Sequence, residues 1–129
     1  MSTILVLDDD VGVLRMIEHT LRSDGHDVLT ATTGQQAWRA ASDHRKEIDL
    51  VITNLTLRDV RGVDAIQKIA ELQPDAHILQ ISGRTPEMLL EEGRYVASFD
   101  FISKPFTPGV LLEKVREVLG ERQNESLPS

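Results

Sequence analysis

The chain has 129 residues, a formal net charge of −7 (14 Lys and Arg against 21 Asp and Glu) and no cysteine. This length suits one domain with its own hydrophobic core. The lack of cysteine excludes disulfides, thiolate zinc sites and a cysteine nucleophile. An acidic chain without a basic run is a poor ligand for a phosphate backbone, so we expect no direct binding to nucleic acid. The sequence shows no apolar stretch that spans a membrane and no secretory signal, which predicts a soluble, cytoplasmic domain.

The chain begins with an apolar run, Ile4–Leu7, that is typical of a strand buried on both faces. Leu14, Ile17 and Leu21 then recur at the spacing of a helix. Gly25 stands where this first helix is expected to end.

A second strand is predicted at Val28–Ala31, and Thr33 opens the helix that follows it. In that helix, Trp38 is interpreted as a packing residue. The third strand is predicted at Leu50–Thr53 and ends at Asn54.

A third helix begins near Gly62 and is closed by Pro74, because apolar residues recur between them at helical intervals. The fourth strand is predicted at His77–Ile81 and ends at Ser82. A short helix is expected to begin near Pro86.

The fifth strand is predicted at Phe99–Ser103, followed by a helix with Thr107 as N-cap. Gly120 is expected to end this helix, and residues 121–129 are expected to form a flexible tail. Strand and helix thus alternate five times, which predicts an α/β domain with a doubly wound, five-stranded parallel sheet and five helices.

Polar side chains directly follow four of the predicted strands, and the carboxyl ends of parallel strands meet at one edge of a sheet. Adjacent carboxylates are ligands that suit Mg²⁺, whereas a lysine and a hydroxyl suit a phosphoryl group. The sequence therefore predicts a site for a metal ion and a phosphoryl group. Its candidate residues are Asp8, Asp9, Asp10, Asn54, Ser82 and Lys104.

From Ile4 to Leu119 the sequence resembles the receiver domain of two-component response regulators. Four motifs carry the resemblance, in order along the chain: Leu7-Asp8-Asp9, Asp49-Leu50-Val51-Ile52-Thr53-Asn54, Ile81-Ser82-Gly83 and Ser103-Lys104-Pro105-Phe106. The resemblance implies a flavodoxin-like fold with strand order 2-1-3-4-5, a receiver domain over residues 1–120, and a cis peptide bond before Pro105.

The resemblance also implies roles for individual residues. Ser82 and Lys104 would contact the phosphoryl group, and Phe101 would be an aromatic switch residue coupled to Ser82. The Mg²⁺ ligands would come from four positions: Asp8, Asp9, Asn54 and the backbone carbonyl of Thr56.

Asn54 departs from the family pattern, because it stands where the phosphoacceptor aspartate is expected. An amide forms no acyl phosphate and is a weaker metal ligand than a carboxylate, so we expect weakened Mg²⁺ binding. Three interpretations stay open at this point. In the first, the asparagine is natural and the chain is a pseudo-receiver. In the second, the asparagine is engineered to block phosphorylation. In the third, a nearby carboxylate, Asp59 or Asp10, replaces the acceptor.

The resemblance implies a signalling module rather than an enzyme. A histidine kinase or phosphotransfer protein would be its partner, and an output domain or target protein would bind the face formed by the fourth helix, fifth strand and fifth helix. We expect a monomer or a weak dimer. The alternative is a small phosphohydrolase of the haloacid dehalogenase type, with Asp8 as nucleophile and Asp10 as general acid.

Overall fold

The structure, a computed structural model, describes residues 2–43, 47–55, 57, 59–91 and 100–126, with only the backbone described at 62, 63, 86, 89, 90 and 121–126. Strands and helices alternate within these residues. The strands are β1 (Thr3–Leu7), β2 (Asp27–Ala31), β3 (Leu50–Asn54), β4 (His77–Ser82) and β5 (Asp100–Ser103). Four helices have eight or more residues and α4 has six: α1 (Val11–Ser23), α2 (Gly34–Ala41), α3 (Gly62–Leu72), α4 (Pro86–Glu91) and α5 (Pro108–Ser126).

All five strands are parallel and form one sheet in the order β2-β1-β3-β4-β5. The predicted fold class and strand order are therefore confirmed. Strand β1 lies between β2 and β3. At its carboxyl end, Leu7 is opposite Ala31 of β2 and Thr53 of β3. Because the strand ends are aligned in this way, the residues that follow them meet at one edge of the sheet.

The sheet separates two hydrophobic cores, and β1 contributes to both. Ile4 and Val6 pack with α1 and α5 on one face, whereas Leu5 and Leu7 pack with α2 and α3 on the other. This arrangement explains the uninterrupted apolar run of β1, since a strand covered on both faces has no side that favours polar residues.

Side chains of the loops fix where three helices begin. The Asp10 carboxylate accepts hydrogen bonds from the amides of Gly12 and Val13 at the start of α1. The Thr33 and Thr107 hydroxyls likewise accept from the amides three residues further on, at the starts of α2 and α5. These contacts satisfy amides that have no partner inside the helix. They confirm Thr107 as the N-cap of α5 and the predicted start of α2 at Thr33.

Two predicted boundaries near the C-terminus differ from the structure. Helix α5 continues through Gly120 to Ser126, so the prediction that Gly120 ends it is wrong. A glycine inside a helix costs only about 1 kcal/mol, and Glu121, Arg122 and Gln123 favour helix. The expected flexible tail thus begins within a helix, and residues 127–129 lie outside the described residues. Strand β5 begins at Asp100, and the predicted start at Phe99 also lies outside them.

The cis peptide bond expected before Pro105 is present. Gly25 has a φ of +89°, a backbone conformation that side chains disfavour. It follows Asp24, the C-cap of α1, close to where the sequence predicted the helix to end. Within the described part of the chain, no helix is both long and apolar enough to cross a lipid bilayer.

Candidate functional site

The strand register brings three of the predicted site residues into contact at the carboxyl edge of the sheet. Asp8 follows β1, Asn54 ends β3, and Lys104 follows β5. The backbone amide of Lys104 donates to the carbonyl of Ser82 at 2.8 Å, which extends the pairing of β4 with β5 by one residue. The backbone of Lys104 is therefore held beside the end of β4, and its side chain begins at the same edge of the sheet as Asp8 and Asn54.

Asp8 is the centre of the polar contacts, and its carboxylate is fully buried. Its Oδ2 lies 3.0 Å from Nζ of Lys104. Its Oδ1 accepts from the backbone amide of Asp10 at 2.9 Å and from Nδ2 of Asn54 at 3.3 Å. A charge without solvent is tolerated only when it is paired and hydrogen-bonded, and both oxygens of Asp8 meet this requirement.

Ser82 is also buried, at 1% exposure. Its hydroxyl oxygen accepts a hydrogen bond from the backbone amide of Arg84 at 3.1 Å. The hydroxyl therefore lies against the loop that follows β4, and this loop forms part of the wall of the cavity described next.

A cavity of about 450 Å³ opens beside these residues. It is lined by Asp9, Asp10, Asn54, Leu57, Gly83, Arg84 and Lys104. Leu57, Gly83 and Arg84 were not predicted as site residues. The position of Arg84 two residues after a strand end was the signal that could have identified it, because such positions face the same edge of the sheet.

Two adjacent carboxylates at this site, Asp8 and Asp9, are of the type that Mg²⁺ takes from proteins, usually one or two together with water. Asp9 lines the cavity, whereas Asp8 is fully buried and does not. Among the residues that the structure describes, no group of three or more His, Cys, Asp or Glu side chains is arranged to hold a metal ion. Thr56, the predicted source of a backbone ligand, lies outside the described residues.

The two carboxylates considered as replacement acceptors both accept hydrogen bonds at the start of a helix. Asp10 caps α1 through its Oδ1, as described above. Asp59 accepts hydrogen bonds from the backbone amides of Gly34 at 3.0 Å and Gln35 at 3.3 Å, at the start of α2. The hydrogen bond from the Gly34 amide is the main reason that the pKa of Asp59 is lowered, since it stabilises the ionised form.

The same capping contact argues against the phosphohydrolase alternative. A general acid must direct its proton towards the substrate. The Asp10 carboxylate instead accepts from the amides of Gly12 and Val13. Asp8, the nucleophile of that alternative, is paired with Lys104 and has no solvent exposure.

Phe101 lies on the same face of the sheet as Ser82. In the register of β4 and β5, Phe101 is opposite Gln80, two residues before Ser82, and Phe101 packs against the core on the side of α2 and α3. The predicted partner face of α4, β5 and α5 is described only in part, because residues 92–99 lie outside the described residues.

Comparison with known proteins identifies the family. The pattern of the response regulator receiver domain matches residues 4–116. The chain belongs to this family, and the resemblance seen in the sequence is confirmed.

Curated relatives agree with this assignment. The chain is 32% identical over 116 residues to the transcriptional regulatory protein KdpE of Mycobacterium tuberculosis, covering 90% of the chain and 50% of the relative. It is 30% identical over 118 residues to the DNA-binding transcriptional regulator NtrC of Azospirillum brasilense, covering 92% and 24%. The chain thus spans about half or less of the length of these relatives.

Solved structures agree as well. A CheY-like receiver domain protein from Methanospirillum hungatei has a TM-score of 0.81 at 26% identity, covering 97% of this chain and 98% of that one. The chemotaxis response regulator CheY4 of Vibrio cholerae has a TM-score of 0.80 at 26% identity, covering 92% and 99%.

Proposed function

We propose that the chain is a receiver domain in which Asn54 occupies the phosphoacceptor position, so that it signals without an aspartyl phosphate. One observation carries the proposal. Asn54 ends the strand next to β1, and its amide nitrogen donates to the buried carboxylate of Asp8. Its side chain therefore lies among Asp8, Lys104 and the cavity, where a receiver needs its nucleophilic oxygen.

The chemistry of Asn54 excludes the acyl phosphate of an ordinary receiver. A carboxylate oxygen attacks phosphorus and keeps the phosphoryl group as a mixed anhydride, whereas an amide has neither the charge nor the nucleophilicity for this attack. The amide is nearly the same size as a carboxylate, so the surrounding residues keep their places. A natural asparagine and an engineered one have the same consequence here.

Asp8 and Asp9 would hold Mg²⁺, which neutralises charge on a phosphoryl group. The ion competes with contacts already present, because the Asp8 carboxylate pairs with Lys104 and accepts from Asn54. A carboxylate at position 54 would add a negative charge to the site, and the amide adds none. We therefore propose that Mg²⁺ binding is weaker than in a receiver with aspartate at this position.

The proposed signalling state depends on the β4–β5 region. Ser82 and Phe101 share one face of the sheet, so a movement of the loop at Arg84 would change the packing of both. We propose a histidine kinase or phosphotransfer protein as partner, and an output domain or target protein on the face of α4, β5 and α5. The proposed role is binding, without catalytic turnover or direct contact with nucleic acid.

The intact mass of the protein after incubation with acetyl phosphate and Mg²⁺ tests this proposal. We expect no change for the wild-type chain and a gain of one phosphoryl group for Asn54→Asp. A gain by the wild-type chain would show that another residue accepts the group. Failure of Asn54→Asp to gain mass would show that position 54 is not the acceptor position.

A further inference from the structure

A groove runs between the outer faces of α2 and α3 and shares no residue with the cavity at Asn54. It has a volume of about 410 Å³, within the range of ligand-binding clefts. The residues that line it are Gln35, Trp38, Arg39, Ser42, Lys68 and Leu72. No acidic side chain is among these lining residues, although the chain as a whole has a net charge of −7.

The lining residues lie in one row on each of the two helices. Three residues of α2 and its C-cap Ser42 are at positions i, i+3, i+4 and i+7, so they form one stripe along the helix. Lys68 and Leu72 are four residues apart and form the matching stripe on α3. The α2 stripe covers about two helical turns, roughly 10 Å, which is a length that suits a peptide helix lying in the groove.

Within the described residues, the groove has one N–H group without an acceptor and two cationic side chains without a carboxylate partner. Nε1 of Trp38 is buried and has no hydrogen-bond partner among the described residues. The ammonium of Lys68 lies 4.6 Å from the centre of the Trp38 ring. In the part of the chain that the structure describes, neither Lys68 nor Arg39 forms an ion pair with a carboxylate.

We propose that this groove binds an acidic amphipathic helix of a partner protein. Carboxylates of that helix would pair with Arg39 and Lys68, and an apolar side chain would pack against Trp38 and Leu72. The negative charge elsewhere on the chain repels an acidic helix, so the basic groove determines where such a helix binds.

Trp38 is the only tryptophan of the chain, so its fluorescence reports directly on the groove. The probe is a blocked helical peptide with leucine on one face and glutamate on the other, free of Trp and Tyr. We expect a saturable change in Trp38 fluorescence that weakens with added salt, because the pairing is electrostatic. The same peptide with lysine in place of glutamate is the control, and it should produce no saturable change.

Lys68→Gln tests the contribution of the groove itself. We expect this variant to raise the Kd of the acidic peptide about fivefold, whereas Arg15→Gln, which removes an equal charge from an exposed position on α1, should leave it unchanged. Thermal unfolding of both variants checks that they are folded. The proposal is overturned by equal responses to both peptides, by no response to either, or by an unchanged Kd in Lys68→Gln. A fluorescence change with protein concentration alone would assign the groove to a second copy of the chain and also overturn the proposal.

Discussion

The ammonium of Lys104 lies 3.0 Å from a carboxylate oxygen of Asp8, across a separation of 96 residues in sequence. Asp8 has no solvent exposure, whereas the side chain of Lys104 is 22% exposed. The pair therefore links the residues that follow β1 and β5 through a carboxylate that is shielded from water while the lysine is in place. Removing either partner leaves the other in an unfavourable environment, which is more costly than losing a surface ion pair.

Lys104→Met should lower the free energy of unfolding by on the order of 3 kcal/mol, because it leaves the Asp8 charge buried and unpaired. Urea unfolding monitored by circular dichroism measures this change. The expected loss lies at the low end for buried pairs, since the partial exposure of Lys104 lets some water replace the ammonium.

Lys114→Met is the matched control for that variant. Lys114 lies 3.6 Å from a carboxylate oxygen of Asp100, whose side chain is 44% exposed, so water can solvate the carboxylate when the lysine is removed. The change should stay within about 0.5 kcal/mol. Equal losses for the two variants would show that the Asp8 pair behaves as an ordinary surface pair.

Asn54→Asp should make the domain less stable without Mg²⁺ and more responsive to it. The substitution replaces an amide that donates to Asp8 with a second carboxylate about 3 Å from the first, and like charges at this distance repel. Mg²⁺ neutralises both, so we expect the variant to bind Mg²⁺ about tenfold more tightly than the wild-type chain.

The measurement for Asn54→Asp is the midpoint of thermal unfolding against Mg²⁺ concentration, since an ion that binds only the folded state raises that midpoint. Ca²⁺-free and Mg²⁺-free buffer with a chelator gives the reference. Parallel curves for wild type and variant would contradict the proposal that the amide weakens metal binding.

The sequence predicted the order of the elements well because the signals for them are local. The run Ile4–Leu7 identified a strand covered on both faces, and Thr107 identified the start of α5. The helix end at Gly120 was predicted wrongly for the same reason. A local rule for glycine gave the end, but the helix-forming residues that follow it continue the helix.

The structural roles of the individual carboxylates were not predictable from local signals in the sequence. Asp8, Asp9 and Asp10 are chemically identical in the sequence, yet the first is buried in an ion pair, the second lines the cavity and the third caps a helix. Only the cap role has a local signal, because aspartate is favoured immediately before a helix. Asp59 reaches the start of α2, 25 residues earlier, through a tertiary contact that no pattern in the sequence shows.

The Asp59 contact predicts a pH dependence of stability. The pKa of Asp59 is lowered from its usual 3.8, chiefly by the hydrogen bond from the Gly34 amide. A lowered folded-state pKa gives a stabilisation that is present above the usual value and is lost as the pH falls through the lowered one. Asp59→Asn should therefore be less stable than wild type around pH 7, and the difference should disappear at an acidic pH below the lowered pKa.

The expected difference at neutral pH is small, about 0.5 kcal/mol, because Asp59 is exposed and solvent screens its charge at the helix N-terminus. Urea unfolding of both proteins at the two pH values measures it. Glu113→Gln, at an exposed position on α5, should match wild type at both. A difference for Asp59→Asn that persists at the acidic pH would exclude its charge as the cause.

Gly34→Ala should destabilise the domain by about 2 kcal/mol, because a Cβ at this buried position would collide with the Cγ2 methyl of Val60. The added Gly34 methyl and the Val60 side chain occupy the same space. Val60→Ala should therefore recover much of the loss, and the two substitutions should be non-additive in a double-mutant cycle of urea unfolding. Additive losses would show that the contact with Val60 does not limit the space at position 34.

Gly120→Ala, in contrast to Gly34→Ala, should raise the free energy of unfolding. A Cβ at Gly120 would meet no atom within 4 Å, and the residue lies inside α5 rather than at its end. Alanine is preferred over glycine in a helix interior, so we expect a gain of about 0.5–1 kcal/mol in the free energy of unfolding. A loss of stability would indicate that Gly120 ends the helix in solution, since a helix-ending glycine adopts a backbone conformation that disfavours alanine.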